Sequence, residues 1–501
     1  MPEETILTAI LHLAVSYKDP LKNQREILSH AQEAADNGAK IIIAPEMSLS
    51  GYIFDDRSEI APYTQRIDDK IAKEFSSFAR EREIYLIVGM AERAEDDMFY
   101  NSAFAYDPKG SLVCHYRKIN SEARWACPGP AVQDNVFTTP WGKVGLLICA
   151  DTYHSLPIRI TALKGADLVL VPANWPPSSF FPENIWRMRA LENGIFLIAV
   201  NRTGSDGQHF NCSTAESFVI DPLGNVLYRL QSEESKILYA HLPLDEGKLG
   251  QGARKRKIFE SRKPEMYHRL YANLSFHRDL TSSFNMEPAA AIDLQLMAPG
   301  RETPTDFVLA QQSCLYNGNI VVLPLWPYKD YDIDTLREVA KAAGVRFFTA
   351  KEEEGLRTHI MVDKDGATFI PMEANKPPKS LDILKPLYIM PVRGRDLIHP
   401  ELALCGAKMG LDALIAIEES IGATERFLVS MRPIEQLAVA YCAQNGAAVG
   451  LVPDGHSPGR GANCPEGTVL SYTIDTRDLR VKRFQDRVDF PVIFKTNEVS
   501  R

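Results

Sequence analysis

Three apolar runs each lead into one reactive side chain: Ile41-Ile42-Ile43-Ala44-Pro45-Glu46, His115-Tyr116-Arg117-Lys118 and Gly145-Leu146-Leu147-Ile148-Cys149. A carboxylate, an ammonium and a thiol supply a base, a cation and a nucleophile. Near neutrality a thiol is only partly ionised and must lose its proton to attack, so Glu46 beside Cys149 in a dry pocket would act as general base. Attack on an amide carbonyl puts negative charge on its oxygen, which Lys118 and the backbone N–H of Ala150 could stabilise; one such donor is worth roughly 3–4 kcal/mol. Once the amine has left, the same Glu46 could activate water against the thioester. Taken singly, each residue also has an ordinary reading: Cys149 as packing, Glu46 as a helix-start residue and Lys118 as a strand-end charge. His154 would allow a Cys–His pair, which the Glu and the Lys make unnecessary.

The elements that must carry these groups alternate. Residues 7–15, 40–44, 84–89, 102–107, 144–149, 168–172, 196–201 and 215–220 read as strands, and 24–37, 69–83, 156–165 and 183–194 read as helices. This alternation predicts an α/β architecture with helices covering sheets. The turns Asp107-Pro108-Lys109-Gly110 and Asp221-Pro222-Leu223-Gly224-Asn225 sit between apolar runs, so hairpins are expected and the sheets should be mixed. Glu, Lys and Cys at strand exits can then meet on one rim of the scaffold.

The second half replays the order of the first in weaker form. Ile41 to Pro45 matches Ile320 to Pro324, Phe78-Ala79-Arg80-Glu81 matches Val339-Ala340-Lys341-Ala342, and the turn at 107–110 matches 363–366. Leu163 to Leu168 matches Lys408 to Ala413, and Glu192-Asn193-Gly194-Ile195 matches Gln444-Asn445-Gly446-Ala447. Two copies of one fold are expected: residues 1–270, a linker at 271–284, and residues 285–501.

Residues 5–268 resemble the nitrilase superfamily. The resemblance rests on Glu46 after Pro45, Lys118 in Tyr-Arg-Lys and Cys149 in Ile-Cys-Ala-Asp. It extends to Arg189-Ala190-Leu191-Glu192-Asn193-Gly194 with Asn201-Arg202 following, the Asp221-Pro222-x-Gly224 turn and Arg262 to Tyr267. It implies an αββα sandwich and a Glu-Lys-Cys triad, with a second glutamate ahead of a Pro-Gly pair that positions substrate; Glu122, before Pro128-Gly129, is the candidate. Arg189 and Glu192 read as a structural i,i+3 pair. Pocket-side candidates are Tyr52, Trp125, Asn174, Trp175, Phe180 and Trp186, which suggest an apolar or aromatic substrate group and serve equally as wall packing. Arg124 or Arg187 would be the residue to meet a substrate carboxylate. Nitrilases proper typically show Cys-Trp-Glu at the nucleophile, whereas amide and carbamoyl hydrolases show Cys-x-Asp, the pattern of Cys149-Ala150-Asp151. The resemblance therefore implies thiol-dependent hydrolysis of a linear amide or N-carbamoyl bond in a small molecule, with nitrile hydrolysis or a non-catalytic binding or scaffold role as alternatives.

In the second copy Leu325 stands at the place of Glu46, Ala374 or a near neighbour at that of Lys118, and Tyr441 at that of Arg189, while the strand 387–391 ends without a Cys. An inert copy is expected, paired with the first as an intramolecular pseudo-dimer in the manner of this family, with further homo-oligomerisation left open. The glycine-rich stretch 455–461 lacks the Lys-Ser/Thr ending of a phosphate loop.

The 501 residues, 45% hydrophobic and 24% charged, are globular material for two or more domains. A net charge of −9 argues against a surface for nucleic acid or an anionic membrane. The basic cluster Arg254-Lys255-Arg256-Lys257 reads as a solvated loop. No secretory signal pattern and no apolar run of membrane-spanning length is present, so a cytoplasmic protein is expected. Eight cysteines without C-x-x-C or His spacing point to neither a disulfide framework nor a metal site, and no cofactor is called for.

Overall fold

A computed structural model describes residues 4–177, 182–208, 210–250, 252–272, 280–325, 332–372, 384–451, 460–482, 484, 488 and 490–494. By contacts the chain forms two compact units, one of Met1–Ser261 with Arg487–Arg501 and one of Arg262–Asp486. Residues 271–284, expected above as the linker, fall within the second unit.

The first unit holds β1 (Thr5–His12), β2 (Ile41–Ile43), β3 (Tyr85–Arg93), β4 (Phe99–Tyr106), β5 (Leu112–Arg117), β6 (Val136–Thr139), β7 (Gly142–Leu146), β8 (Leu168–Pro172) and β9 (Phe196–Val200). A short hairpin follows, β10 (Ser205–Asp206) and β11 (Phe210–Asn211), then β12 (Glu216–Ile220), β13 (Val226–Gln231), β14 (Lys236–Asp245) and β15 (Lys248–Leu249). One sheet runs β15-β14-β1-β2-β3-β4-β5 and the other β13-β12-β9-β8-β7-β6. Strands β1, β2 and β3 are mutually parallel, as are β7, β8 and β9, while the flanking strands run antiparallel, two of them through the expected hairpins at 107–111 and 221–225.

Alternation of side chains decides the layers. Ile41, Ile43 and Ile87 join Leu146, Ile148, Leu170 and Ile198 in the core shared by the two sheets. Ile42, Leu86 and Val88 point the other way and pack on Ile27, Ala31, Ala34, Phe75 and Ala79 of the helices Pro20–Asp36 and Lys70–Arg82. Ile158 and Ala162 of the helix Ser155–Leu163 and Trp186 and Ala190 of Pro182–Asn193 cover the second sheet. The layers are helix, sheet, sheet, helix. The helix Phe490–Phe494 packs on Ser155–Leu163, with Val488, Val492 and Ile493 buried.

The basic cluster is helical rather than a loop, and only Arg256 and Lys257 of it are exposed. It lies in the helix Gly252–Glu260, where Arg254 Nε donates to the Pro222 carbonyl and Lys255 Nζ to the carbonyls of Gly165 and Ala166 and to Asp167. Lys255 thus meets the chain that leaves Ser155–Leu163, and Arg254 the turn between β12 and β13.

The second unit contains β16 (Ala291–Ala298), β17 (Ile320–Val322), β18 (Arg346–Glu353), β19 (Leu356–Asp363), β20 (Gly366–Met372), β21 (Ile389–Val392), β22 (Ala413–Ile417), β23 (Ala438–Ala443), β24 (Gly446–Gly450), β25 (Gly461–Pro465) and β26 (Thr468–Asp475). Its sheets run β26-β16-β17-β18-β19-β20 and β21-β22-β23-β24-β25. These orders, and the parallel or antiparallel sense of each pair, follow β14-β1-β2-β3-β4-β5 and β7-β8-β9-β12-β13 of the first unit. One of the matches read from sequence fails here. Gln444-Asn445-Gly446 is the turn between β23 and β24, whereas Glu192-Asn193-Gly194 ends a helix, so Tyr441, inside β23, does not stand for Arg189. Asn-Gly serves both places because each requires a glycine at positive φ, +62° at Gly194 and +149° at Gly446.

Candidate active site

The exits of β2, β5 and β7 bring Glu46, Lys118 and Cys149 to one end of the inter-sheet core, where all three are buried. Lys118 Nζ lies 2.7 Å from Glu46 Oε1 and also pairs with Glu122 Oε1. Asn101, on β4, donates through Nδ2 to Glu46 Oε1 at 2.7 Å and to Glu122 Oε2 at 3.0 Å. The backbone N–H of Asn174 donates to Glu46 Oε2 at 2.7 Å, its side-chain amide to the Glu46 carbonyl, and the Tyr52 hydroxyl to Glu122 Oε1 at 2.7 Å. Sequence reasoning missed Asn101, which looks like any polar residue of a half-covered strand; only its cross-strand place, accepting the Lys118 N–H on its carbonyl, reveals it.

Two tight backbone turns aim the acid and the thiol. Met47 takes φ +50° directly after Glu46, and Gly89 of β3 makes room for it: a Cβ there would stand 2.6 Å from the Pro45 carbonyl oxygen and 2.8 Å from Glu46 Cα. Strand β7 stops at Leu146, short of the expected end, and Cys149 opens the 3-10 turn Cys149–Thr152 at φ +43°. A cysteine in the left-handed region is strained. Asp151, in the same turn, accepts from the Tyr116 hydroxyl and from the backbone N–H groups of Ile119 and Asn120, tying the turn to the exit of β5. Buried Arg189 holds the turn's far end through the carbonyls of Thr152 and Tyr153 and pairs with Glu192 at 2.7 Å.

The electrostatics divide the two carboxyls. Burial pushes the Glu46 carboxyl up, and the Lys118 ammonium only partly opposes it. Burial acts on Glu122 as well, but Lys118, Tyr52 and Asn101 together hold it below its ordinary value. Burial, reinforced by the Glu46 charge, raises the Cys149 thiol well above the usual range, so the resting group is the neutral thiol. Lys118 stays an ammonium: its desolvation is outweighed by the charges of Glu122 and Glu46. Paired carboxyls whose environments pull them apart are the raw material of acid–base chemistry.

A model of the carbon–nitrogen hydrolase family matches residues 7–250. A nitrilase of Pyrococcus abyssi is 30% identical over 256 residues, which cover 50% of this chain and 95% of that protein. The chain belongs to the carbon–nitrogen hydrolase family. Omega-amidase NIT2 of Mus musculus is 28% identical to this carbon–nitrogen hydrolase, over 52% of the chain and 97% of the relative. The crystal structure of an amidase from Nesterenkonia sp. is 24% identical over 51% of this chain and 97% of that one, with a TM-score of 0.44.

Of the remaining pocket candidates in this hydrolase, Tyr52 stacks on Phe210 at 4.9 Å and Trp175 meets Trp186 edge-on at 5.6 Å. Trp125 is buried among Met47, Phe54 and Phe99, and Trp186 donates to Thr152 Oγ1, so both pack the wall behind the site. Ala150 follows Cys149 in the turn and is partly exposed. Arg187 is turned to the Gly224 carbonyl and Arg124 to Asp55 at 3.6 Å. His154 is a partly exposed imidazole, pushed by desolvation down to about 4. Phe180 lies outside the described residues. No cluster of His, Cys, Asp and Glu among the described residues could hold a metal, and no described helix is long and apolar enough to cross a membrane.

Proposed function

We propose that the first unit hydrolyses an amide or N-carbamoyl bond of a small molecule through a thioester on Cys149. The observation that carries this reading is the hydrogen-bond count around Glu46. Oε1 accepts from Lys118 and Asn101 and Oε2 from Asn174 alone, so Oε2 keeps one lone pair for a proton. Sulfur attacks the carbonyl carbon as its proton passes to Glu46. Lys118 has given two of its three N–H groups to carboxylates, and the third, with the Ala150 N–H, serves the developing oxyanion. Collapse expels the amine, which takes the proton from Glu46. Water then gives a proton to Glu46 and its oxygen to the thioester carbon, releasing the acid and returning the proton to sulfur. Glu122, held ionised, orients Lys118 and Tyr52.

Asp151 after Cys149-Ala150 favours amides over nitriles in this reading, and omega-amidase NIT2 is a relative with such a name. The relative named as a nitrilase supports the second reading, nitrile hydrolysis by the same groups. Mass spectrometry of Cys149 after exposure to an amide library should find a trapped acyl adduct. Cys149→Ala should abolish ammonia or amine release, a loss of several orders of magnitude, with the melting temperature little changed. Turnover surviving in Cys149→Ala refutes the thioester, and a nitrile turned over faster than its matched amide moves the assignment to the second reading.

The second unit reads as a non-catalytic partner of the first. Counting along paired strands puts Leu325 at the place of Glu46, Met372 at that of Lys118 and Gly394 at that of Cys149; Ala374 lies outside the described residues. Intramolecular pairing of the two units as a pseudo-dimer, a small-molecule substrate bound by the first unit and a cytoplasmic location complete the proposal.

A further inference from the structure

We propose that Asn101 is a positioning residue that selects the oxygen of Glu46 which takes the Cys149 proton. This inference rests on the thioester reading above. A carboxamide placed between two carboxylates can only donate, so the orientation of Asn101 is set by its partners. One Nδ2 hydrogen goes to Glu46 Oε1 and the other to Glu122 Oε2, while the Asn101 backbone carbonyl accepts the Lys118 N–H. Together with Lys118 Nζ, the amide fills both lone pairs of Glu46 Oε1. The proton is thereby directed to Oε2, beside the Asn174 N–H that also reaches Cys149. Without Asn101, Oε1 would regain an acceptor site, and a proton landing there would sit against Lys118 instead of beside the Asn174 N–H.

The same amide binds the two carboxyls to one geometry. Both are desolvated, both face Lys118, and Glu122 also faces Tyr52 while Glu46 faces Cys149. A donor shared between them offsets their mutual repulsion and favours the ionised form of each. The Asn101 Oδ1 atom is buried and has no hydrogen-bond partner, a cost of the kind that a structural asparagine in a strand would avoid.

The test is the pH profile of Asn101→Ala and of the isosteric Asn101→Asp, with Cys149→Ala as a control. In Asn101→Ala, kcat should fall roughly tenfold to a hundredfold, the worth of one hydrogen bond to a charged group, with KM little changed. The acid limb of kcat/KM should move to higher pH, because Glu46 has lost a donor that favours its ionised form. Asn101→Asp, which keeps the volume and adds a third carboxylate, should lose more at neutral pH. A purely structural role would lower stability and leave the acid limb in place. Wild-type kcat with an unmoved limb in Asn101→Asp would overturn the inference. Turnover in Cys149→Ala would instead remove the thioester reading beneath it.

Discussion

At the scale of residues, the site is specified by space as much as by charge. Gly89 has no chemistry, yet its missing side chain lets the Pro45–Met47 turn lie against β3. Gly89→Ala should displace Glu46 by some tenths of an ångström and lower kcat at least tenfold, since catalysis by positioned groups falls steeply with misplacement; steady-state kinetics with an intact circular dichroism spectrum would show it. The second unit illustrates the same constraint in reverse, because Ala350 occupies the place of Gly89 where Leu325 replaces Glu46. Glu46, Lys118 and Cys149 were legible because each is a reactive type at the end of an apolar run. Asn101, Gly89 and the backbone N–H of Asn174 were not, since their roles arise from strands distant in sequence meeting side by side. Nor does sequence show that Cys149 leaves the strand early at positive φ, a strain that surrounding contacts must sustain.

At the scale of elements, alternation and punctuation made the main helices and many of the strands of the first unit readable, though not the order in which the strands pair. The expected hairpins and the helices over 24–37 and 69–83 have counterparts in the structure because Asp-Pro-x-Gly turns and a period of 3.6 are local signals. The sense of the basic cluster at 254–257 was lost, because only the folded chain shows the carbonyls it meets. Ion pairs across strands were equally invisible. Glu92 of β3 accepts from Ser102 of β4 and from His115 and Arg117 of β5. Burial pushes this carboxyl up, but its partners hold it at about 2, against an ordinary 4.5. A lowered folded-state value means a stabilising contribution that is complete above pH 4.5 and lost as pH falls through about 2. By linkage this amounts to about 3 kcal/mol. Glu92→Gln should therefore melt well below the wild type at pH 7, and the gap should narrow as the pH is lowered from about 4.5. A gap independent of pH would show that the loss comes from packing instead.

At the scale of the molecule, the last stretch of chain counts with the first unit. Val488 lines a small cavity of about 20 Å³ with Tyr116 and Ile119, at the exit of β5, and with Leu147, before the nucleophile turn. Val492 and Ile493 are buried in the same unit. Removing residues 487–501 exposes the face of Ser155–Leu163 that these side chains cover, at roughly 1.5–3 kcal/mol for each large apolar group. The truncated protein should melt several degrees lower and turn over more slowly, and a peptide of residues 487–501 added in trans should restore part of both. Unchanged melting and turnover would show the segment to be dispensable.

That return of the chain imposes an order on biosynthesis. Every group proposed for the chemistry has been translated by residue 174, but the 225 residues of Arg262–Asp486 must follow before the closing segment exists. At about 5–20 residues per second, translating that unit alone takes roughly 10–45 s. A nascent chain released early carries all the reactive side chains behind an unfinished wall, so synthesis of residues 487–501, not the appearance of Cys149, marks the moment at which the first unit is complete.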